Sequence, residues 1–592
     1  MVQPATIDMA AVEPVLTKYR GRGREALLPL LHEAQAIHGW LPREILEAIG
    51  ETLHVPLSDI HGVVEFYSMF YNEPTAPRVV RVCFDPACHM AGSPAVRMAI
   101  EERLGLKPGE TSEDGSVSYE CVPCLGMCEH APNALNGDRT AGDLTPADVD
   151  AFLAGVFPEP EPKIYGGPLI KLARAGKVDP MSLADFEKYG GYKGLRKAMT
   201  MTPEQVITTL KGSDVLGRGG AMFPVGLKWE MTRAVPAHPA EKHIVANADE
   251  SEPGTFKDRA LMEQDPFSLI EAMTLASYAV GAENGWIFLR GEYPRCYKRL
   301  KNAIEKARAA GYLGRNILGR KGFNFDIQLR LGAGAYICGE ETALFEAIEG
   351  KRGFPRIKPP FPTTHGLFHQ PTVINNVETL AATLSVINLG VEQWHKLGTP
   401  TSPGTKWFCL SGRVLRPGVY EVPFGLTVRQ LIQMAGGVIG NEVQAVLLGG
   451  AAGVFIGPRR LDTPLTYEDA KAQGFPLGSG VIMVFDEAVD LREIMYMLAR
   501  FFAHESCGKC YPCQIGTMRQ LEIIERILRY GGPQRGDKAA LQDIGHTMTQ
   551  TSLCGLGQTA ASAILSAIDR WPELFESAAP GGPNGRVRLP VL

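Results

Sequence analysis

The chain has 592 residues, 45% hydrophobic and 21% charged, with 60 basic residues against 65 acidic ones and a formal net charge of −5. That balance excludes a disordered chain and gives no electrostatic case for nucleic acid, and the length predicts roughly four domains. Twelve cysteines are too few for a disulfide scaffold, and no apolar run reaches the ~18 residues of a membrane span. Glycine and proline, at 65 and 43 residues, exceed ordinary usage and predict tight turns or backbone lying close to ligands. No basic-then-apolar signal pattern opens the chain, so a reducing, cytoplasmic setting is expected, where grouped cysteines suggest metal ligation.

Residues 20–75 read as helical. Ala26, Leu27, Leu30, Leu31 and Ala34 recur at helical spacing, and Pro42 opens a second segment carrying Ile45, Leu46, Ile49 and Leu53. Arg78 to Val82 shifts to a strand that ends at Cys83. Ser93-Pro94 supplies an N-cap and a first-turn proline for a helix to about Leu104, and a second strand covers Val117 to Glu120. Phe157-Pro-Glu-Pro-Glu-Pro162 reads as a stiff linker. From about 200 to 400, apolar runs alternate with helical patterns and glycine loops, the α/β signature. Short runs around Pro417-Gly418, Gly436-Gly437 and Gly449-Gly450 suggest a β-rich domain. After Asp490 one helical face carries Leu491, Ile494, Met495, Leu498 and Phe501. The expected organisation is α/β multidomain: a helical segment (1–75), a cysteine-bearing α/β module (76–156), a linker (157–200), an α/β domain (201–403), a β-rich domain (404–489) and a helical domain (490–592).

Cys507-x2-Cys510-x2-Cys513, followed by Cys554, is the strongest local signal. Three thiolates at that spacing wrap one cubane and a distant fourth completes a [4Fe–4S] site, whereas structural zinc usually takes two paired knuckles. The N-terminal group is Cys83-x4-Cys88, then Cys121, Cys124 and Cys128. Two pairs can hold a [2Fe–2S] centre, but spacing alone does not say which two of the last three take part. A thioredoxin-like Cys121-x2-Cys124 pair and a zinc site are the competing readings. Cys296, Cys338 and Cys409 read as packing groups.

Four loops rich in glycine or amide lie within one α/β stretch. Gly217-Arg-Gly219-Gly220-Ala-Met222-Phe223, with Lys228 beyond it, can turn backbone N–H groups toward phosphate, although Met222 breaks the G-x-G-x-x-G pattern. Asn247-Ala-Asp249-Glu250-Ser-Glu252 follows the apolar run Ile244 to Ala246, where α/β sheets bind ligands. Gly332-Ala-Gly334-Ala-Tyr336-Ile-Cys338-Gly339-Glu340-Glu341 and Asn375-Asn376 are the others, with Arg352, Arg356 and Lys358 between them. Each alone is explained by a turn or a capped helix; together they suggest one composite nucleotide site. Clusters move single electrons and nicotinamide moves hydride, so a flavin is needed between them.

These motifs, with Lys358-Pro-Pro-Phe361 and Asn375-Asn-Val-Glu-Thr379, resemble the NADH-oxidising flavoprotein subunit of respiratory complex I. They equally resemble its soluble relatives, the diaphorase subunits of NAD-reducing [NiFe] hydrogenases and of NAD-dependent formate dehydrogenases. Residues 20–150 look like the 24-kDa-type subunit of the same complex, and the fusion of both subunits favours the soluble diaphorases. The resemblance implies a helical segment with a thioredoxin-like [2Fe–2S] domain, a Rossmann-like FMN/NAD domain, an SLBB (ubiquitin-like β-grasp) domain and a helical bundle with [4Fe–4S]. It implies Cys83, Cys88, Cys124 and Cys128 as [2Fe–2S] ligands and Cys121 as an extra thiol. It also implies FMN contacts from Gly217, Gly219, Lys228, Asn247, Asp249, Glu340, Asn375, Asn376 and Thr379. NAD(H) contacts are implied for Phe223, Glu250, Glu252, Glu341, Lys358 and Phe361, with Glu341 disfavouring a 2′-phosphate. Gly220, Tyr336 and Gly339 in the same loops are further cofactor-binding candidates.

Two departures from the family pattern stand out: Met222 replaces a usual glycine, and Met231 stands where an aromatic residue often completes the adenine clamp, which predicts weaker dinucleotide binding. The implied partners are redox subunits of a hydrogenase, a formate dehydrogenase or a complex I-like assembly, with no nucleic acid. A flavin-less iron–sulfur scaffold and a zinc-stabilised interaction protein are the rival readings.

Overall fold

The computed structural model describes residues 7–236 and 241–576; residues 1–6 and 577–592, the outer ends of the first and last expected domains, lie outside the described residues. Apolar spacing shapes the N-terminal helices Met9–Tyr19, Leu27–His38, Arg43–Leu53 and Leu57–Val64. Arg43–Leu53 buries Ile45, Leu46, Ile49 and Leu53 along one face. Leu27–His38 stops at Gly39, where φ is 84° and a Cβ would lie 2.2 Å from Thr75 O, so only glycine fits.

The cysteine module is a four-stranded sheet ordered Ser118–Val122, Val79–Cys83, Ala134–Asn136, Arg139–Ala141. The first two strands are parallel and the remaining pairings antiparallel. Helix Ser93–Leu104 begins one position earlier than expected: Gly92 is its N-cap, and Ser93 Oγ instead donates to Cys83 O at 2.5 Å. The hydroxyl thus ties the start of the helix to the cysteine loop.

The central α/β domain has four parallel strands ordered Asp326–Leu331, Asn284–Leu289, His243–Ala248, Thr372–Asn376. Helix Pro266–Val280, buried along its whole length, packs with Val377–Leu389 against this sheet. The chain runs outward from His243–Ala248 on one side and returns on the other with Thr372–Asn376. The carboxyl ends of these two strands therefore flank a topological switch point, where such sheets bind ligands.

The β-rich domain is a six-stranded sheet ordered Val454–Ile456, Val443–Leu448, Val481–Asp486, Thr405–Gly412, Gly418–Pro423, Ile164–Gly166. Its last strand comes from the stretch 157–200 that was expected to be a linker. Gly418–Pro423 would otherwise leave one row of backbone groups unpaired, and Ile164–Gly166 covers that edge. Lys171 Nζ is fully buried 3.4 Å from Glu421 and 3.5 Å from Glu378, and helix Lys193–Ala198 packs on Pro266–Val280 and Val377–Leu389. The stretch is folded structure, tied to both neighbouring domains.

The C-terminal helices are Leu491–Glu505, Tyr511–Tyr530, Asp537–Thr551, Gly555–Thr559 and Ser562–Arg570. Leu491, Ile494, Met495, Leu498 and Phe501 form the buried stripe of the first. Among the described residues no helix is long and apolar enough to cross a membrane.

Candidate functional site

At the switch point lies a cavity of about 420 Å³, within the roughly 300–1,000 Å³ range of cofactor pockets. Gly219 and Gly220 form one wall, and Asn247, Asp249, Glu250 and Glu252 a second. Tyr336, Ile337, Gly339 and Glu340 form a third, beside Asn376 at the end of its strand. A Cβ on Gly219 would come 2.9 Å from Asn376 Cβ, so the glycine lets the two loops close on one another. The β-rich domain adds Gly449, Ala452, Gly478 and Ser479, and the helical domain adds Gly555, Leu556 and Thr559. Sequence reasoning missed these last contributions, which come from far along the chain.

It also missed Lys257, which lines the cavity and is fully buried. Its Nζ donates to Asp258 Oδ1 at 2.8 Å and to Asn376 Oδ1 at 3.2 Å, and lies 3.3 Å from Glu378. Burial alone would discharge this lysine, but Asp258 and Glu378 raise its pKa above the usual value. Glu378 is shared with Lys171 and with Lys406 at 3.6 Å, so a buried charge cluster stands directly behind the cavity. The cation after Phe256 was a visible signal, but its partners Asn376 and Glu378 are remote in sequence.

Burial, with repulsion from Glu292, pushes the Asp249 carboxyl up to about 8, while Ser251 Oγ donates to it at 3.1 Å. Glu250 and Glu252, expected near the dinucleotide, border the cavity, and each of their carboxylates also accepts hydrogen bonds from protein donors. Glu250 accepts from the N–H groups of Asp258 and Arg259 at 2.8 and 2.9 Å, capping helix Lys257–Gln264. Glu252 accepts from Ala452 N–H at 3.0 Å and Ser479 Oγ at 3.3 Å, latching the β-rich domain onto the α/β domain. Burial raises Glu250 to about 8 and Glu252 to about 7.

Gly217, Asn375 and Thr379 stand behind the cavity wall, not on it. Gly217 N–H closes the glycine loop on Phe223 O at 3.0 Å, Thr379 Oγ1 accepts from Arg218 N–H at 2.9 Å, and Asn375 Oδ1 accepts from Trp229 Nε1 at 3.0 Å. Phe223, Lys228, Glu341, Lys358 and Phe361 lie outside the cavity. Lys358 Nζ is 2.8 Å from both Glu340 and Glu341, and Lys228 Nζ is 4.0 Å from Glu341 and 5.8 Å from the Phe223 ring centre. This chain of charges leads from Glu340 in the wall to the Phe223 ring, 39% exposed, while Phe361, three residues after Lys358, is 54% exposed. Burial lowers the Lys228 pKa; for Lys358 burial is outweighed by Glu341 and Glu340, which raise it. Met222 adopts φ 51°, a left-handed conformation that favours glycine. Arg356 is taken up by Glu346 and Glu349 at 2.5 and 2.8 Å.

The four thiols Cys83, Cys88, Cys124 and Cys128 converge. Cys124 Sγ is 3.4 Å from Cys128 Sγ, and Cys83 contacts both Cys88 and Cys124. Cys121 diverges: its Sγ is 3.5 Å from Tyr119 Oη and borders a different cavity. Arg259 Nε donates to Gly126 O at 2.9 Å and its guanidinium pairs with Glu129 and, at 3.3 Å, Glu263. Arg290 donates to Cys124 O. Two buried arginines of the α/β domain thus clamp the second cysteine loop.

Cys507, Cys510, Cys513 and Cys554 surround a small pocket whose lining also includes Ile337, Pro355, Leu553 and Leu556, with Ser506 and Lys509 beside the thiols. The N–H groups of Leu556 and Gly557 donate to Cys554, and a Cβ on Gly557 would lie 2.8 Å from Cys513 Cβ, so the turn after Cys554 holds two thiols in place. Both tetrads have the all-sulfur donor set of iron–sulfur clusters. Cys296, Cys338 and Cys409 are buried elsewhere.

Sequence-family models match four stretches: the Nuo51 FMN-binding domain over residues 210–385, the thioredoxin-like [2Fe-2S] ferredoxin over 12–156, the SLBB domain over 408–451, and the NADH-ubiquinone oxidoreductase-F iron-sulfur binding region over 493–578. The NAD-reducing hydrogenase HoxS subunit alpha of Cupriavidus necator is 34% identical over 96% of this chain and 94% of its own. An NADH-quinone oxidoreductase subunit of Aquifex aeolicus is 43% identical over 70% of this chain and 96% of its own. A chain of the NAD+-reducing [NiFe]-hydrogenase in its H2-reduced state superposes with a TM-score of 0.83 at 32% identity, covering 93% of this chain and 92% of that one.

Proposed function

The chain belongs to the family that joins the HoxS alpha subunit of NAD-reducing hydrogenase with the Aquifex NADH-quinone oxidoreductase subunit, and we propose that it is the diaphorase subunit of an NAD-reducing hydrogenase. It is an NAD(H)-dependent oxidoreductase module built from FMN, [2Fe–2S] and [4Fe–4S] domains. Coverage carries the choice of hydrogenase. The hydrogenase relative matches 96% of the chain, cysteine module included, whereas the Aquifex relative matches 70%. We place the protein in the cytoplasm.

Bound FMN would take up hydride from NADH and release the pair as single electrons. Gly219, Gly220, Asn247, Asp249, Glu340 and Asn376 would hold it, with Lys257 as the fixed cation behind them. Phe223 and Phe361 would cover the dinucleotide, and Glu341, held by Lys358, would repel a 2′-phosphate. No side chain is required as acid or base; the residues contribute by positioning and by excluding water. Cys83, Cys88, Cys124 and Cys128 would ligate [2Fe–2S], and Cys507, Cys510, Cys513 and Cys554 would ligate [4Fe–4S] on the side facing a partner subunit.

The test is the visible spectrum and extractable flavin of the purified chain, followed by NADH-driven reduction of a viologen. A brown, flavin-containing protein that reduces the dye is expected; a colourless, flavin-free preparation overturns the reading. Co-expression with its neighbouring genes should yield hydrogen-dependent NAD+ reduction. Formate-dependent reduction in its place would reassign the partner.

A further inference from the structure

The cavity at the switch point and the pocket of Cys507, Cys510, Cys513 and Cys554 share a wall. Among the described residues only Ile337 and Leu556 border both spaces. Ile337 is 3% exposed and Leu556 7%. The cavity's charged and amide groups, Asn247, Asp249, Lys257 and Glu340 among them, are not shared with the cysteine pocket, and both residues that are shared are apolar. Leu556 is two-sided: its backbone N–H donates to the Cys554 thiol while the residue also lines the cavity.

We infer that Ile337 and Leu556 are positioning residues that form a dry partition, one side chain thick, between the flavin and the [4Fe–4S] cluster. The inference rests on the diaphorase reading. With both groups bound, electrons would cross this wall singly, one lost on the flavin side and one gained on the cluster side, with no bond made or broken. A cluster held by four thiolates carries more negative charge when reduced, and water or polar groups stabilise the more charged state. A dry wall therefore holds the cluster potential down, and it denies water and small oxidants a path from the cavity to the sulfurs.

The experiment uses the holoprotein and three substitutions of one side chain. Leu556→Ala opens the wall, Leu556→Asn keeps its size but makes it polar, and Leu556→Met keeps it apolar. The readouts are the cluster potential, from a dye-mediated titration followed by electron paramagnetic resonance, and the lifetime of the reduced-cluster signal in air. Leu556→Ala and Leu556→Asn should raise the potential by an amount equivalent to about tenfold in the reduction equilibrium, ~59 mV for one electron. They should also shorten the lifetime several-fold, while Leu556→Met stays near the parent in both. Loss of the cluster from the Asn variant alone supports the partition as well. Parent-like values in Leu556→Asn, or equal disturbance by Leu556→Met, overturn the partition. A parent protein without flavin or cluster would instead overturn the diaphorase reading.

Discussion

The two cysteine tetrads offer the same donor atoms in opposite surroundings. Cys83, Cys88, Cys124 and Cys128 are all buried, and their second loop is gripped by Arg259 and Arg290, which are themselves 2% and 3% exposed. Cys507, Cys510 and Cys554 are only partly buried, face the apolar Ile337 and Leu556, and adjoin Tyr511, which is 79% exposed. One site is enclosed by paired charge at a domain interface; the other lies near the surface beside a greasy wall. Buried ion pairs add little net stability when intact but cost heavily when one partner is removed. They therefore suit a site that must keep a fixed geometry, whereas the second tetrad has the access that exchange with another protein needs.

Serine substitutions separate the two sites most sharply. Cys554→Ser should abolish the [4Fe–4S] resonance signal and leave the [2Fe–2S] signal, and Cys124→Ser should do the reverse; loss of both signals from either would break the distinction. Next in size is Arg259→Met, which strands the buried carboxylate of Glu129 while Glu263 keeps Arg295 at 3.6 Å, and should cost about 3–5 kcal/mol in denaturant unfolding. The exposed pair Arg519–Glu522 of the helical domain is the control, and Arg519→Met should cost under ~1 kcal/mol.

Glu252, latching the β-rich domain between the two regions, gives a smaller effect with a definite sign. Its folded pKa of about 7 lies above the ordinary 4.5, so the folded state keeps a proton that the unfolded chain releases. The resulting stability is full below about pH 4.5 and is lost as pH rises to about 7. Measured against Glu252→Gln across that window, the parent should lose stability at up to ~1.4 kcal/mol per pH unit. A flat difference would mean the carboxylate is already charged in the fold. The smallest effect lies outside both regions: Met222→Gly should relieve the φ of 51° and raise stability by about 1 kcal/mol or less, read as a denaturation midpoint.

Local spacing made the cluster sites legible, because C-x2-C-x2-C places three thiols together wherever the turn lies. It did not separate Cys121 from Cys124 and Cys128; the fold does so by bringing Cys124 and Cys128 toward Cys83. The switch-point loops were legible from glycine and amide residues following apolar runs. Which of their side chains reach the cavity was not: Asn375 and Asn376 are the same residue type on one strand end but face opposite ways, and Thr379 lies on the helix that follows. Lys257 with Glu378, and Ala452 with Glu252, were invisible because they meet only after distant strands have been assembled. The prolines before Pro162 gave no sign that Ile164–Gly166 pairs with a strand far along the chain.

That strand sets an order in time. Ile164–Gly166 leaves the ribosome well before Gly418–Pro423, the strand it lies beside. The short segment just beyond the cysteine module must wait unpaired until the strand at Gly418–Pro423 has been made. The stretch that follows the cysteine module thus supplies a piece that the β-rich domain, made more than 200 residues later, needs to finish its sheet.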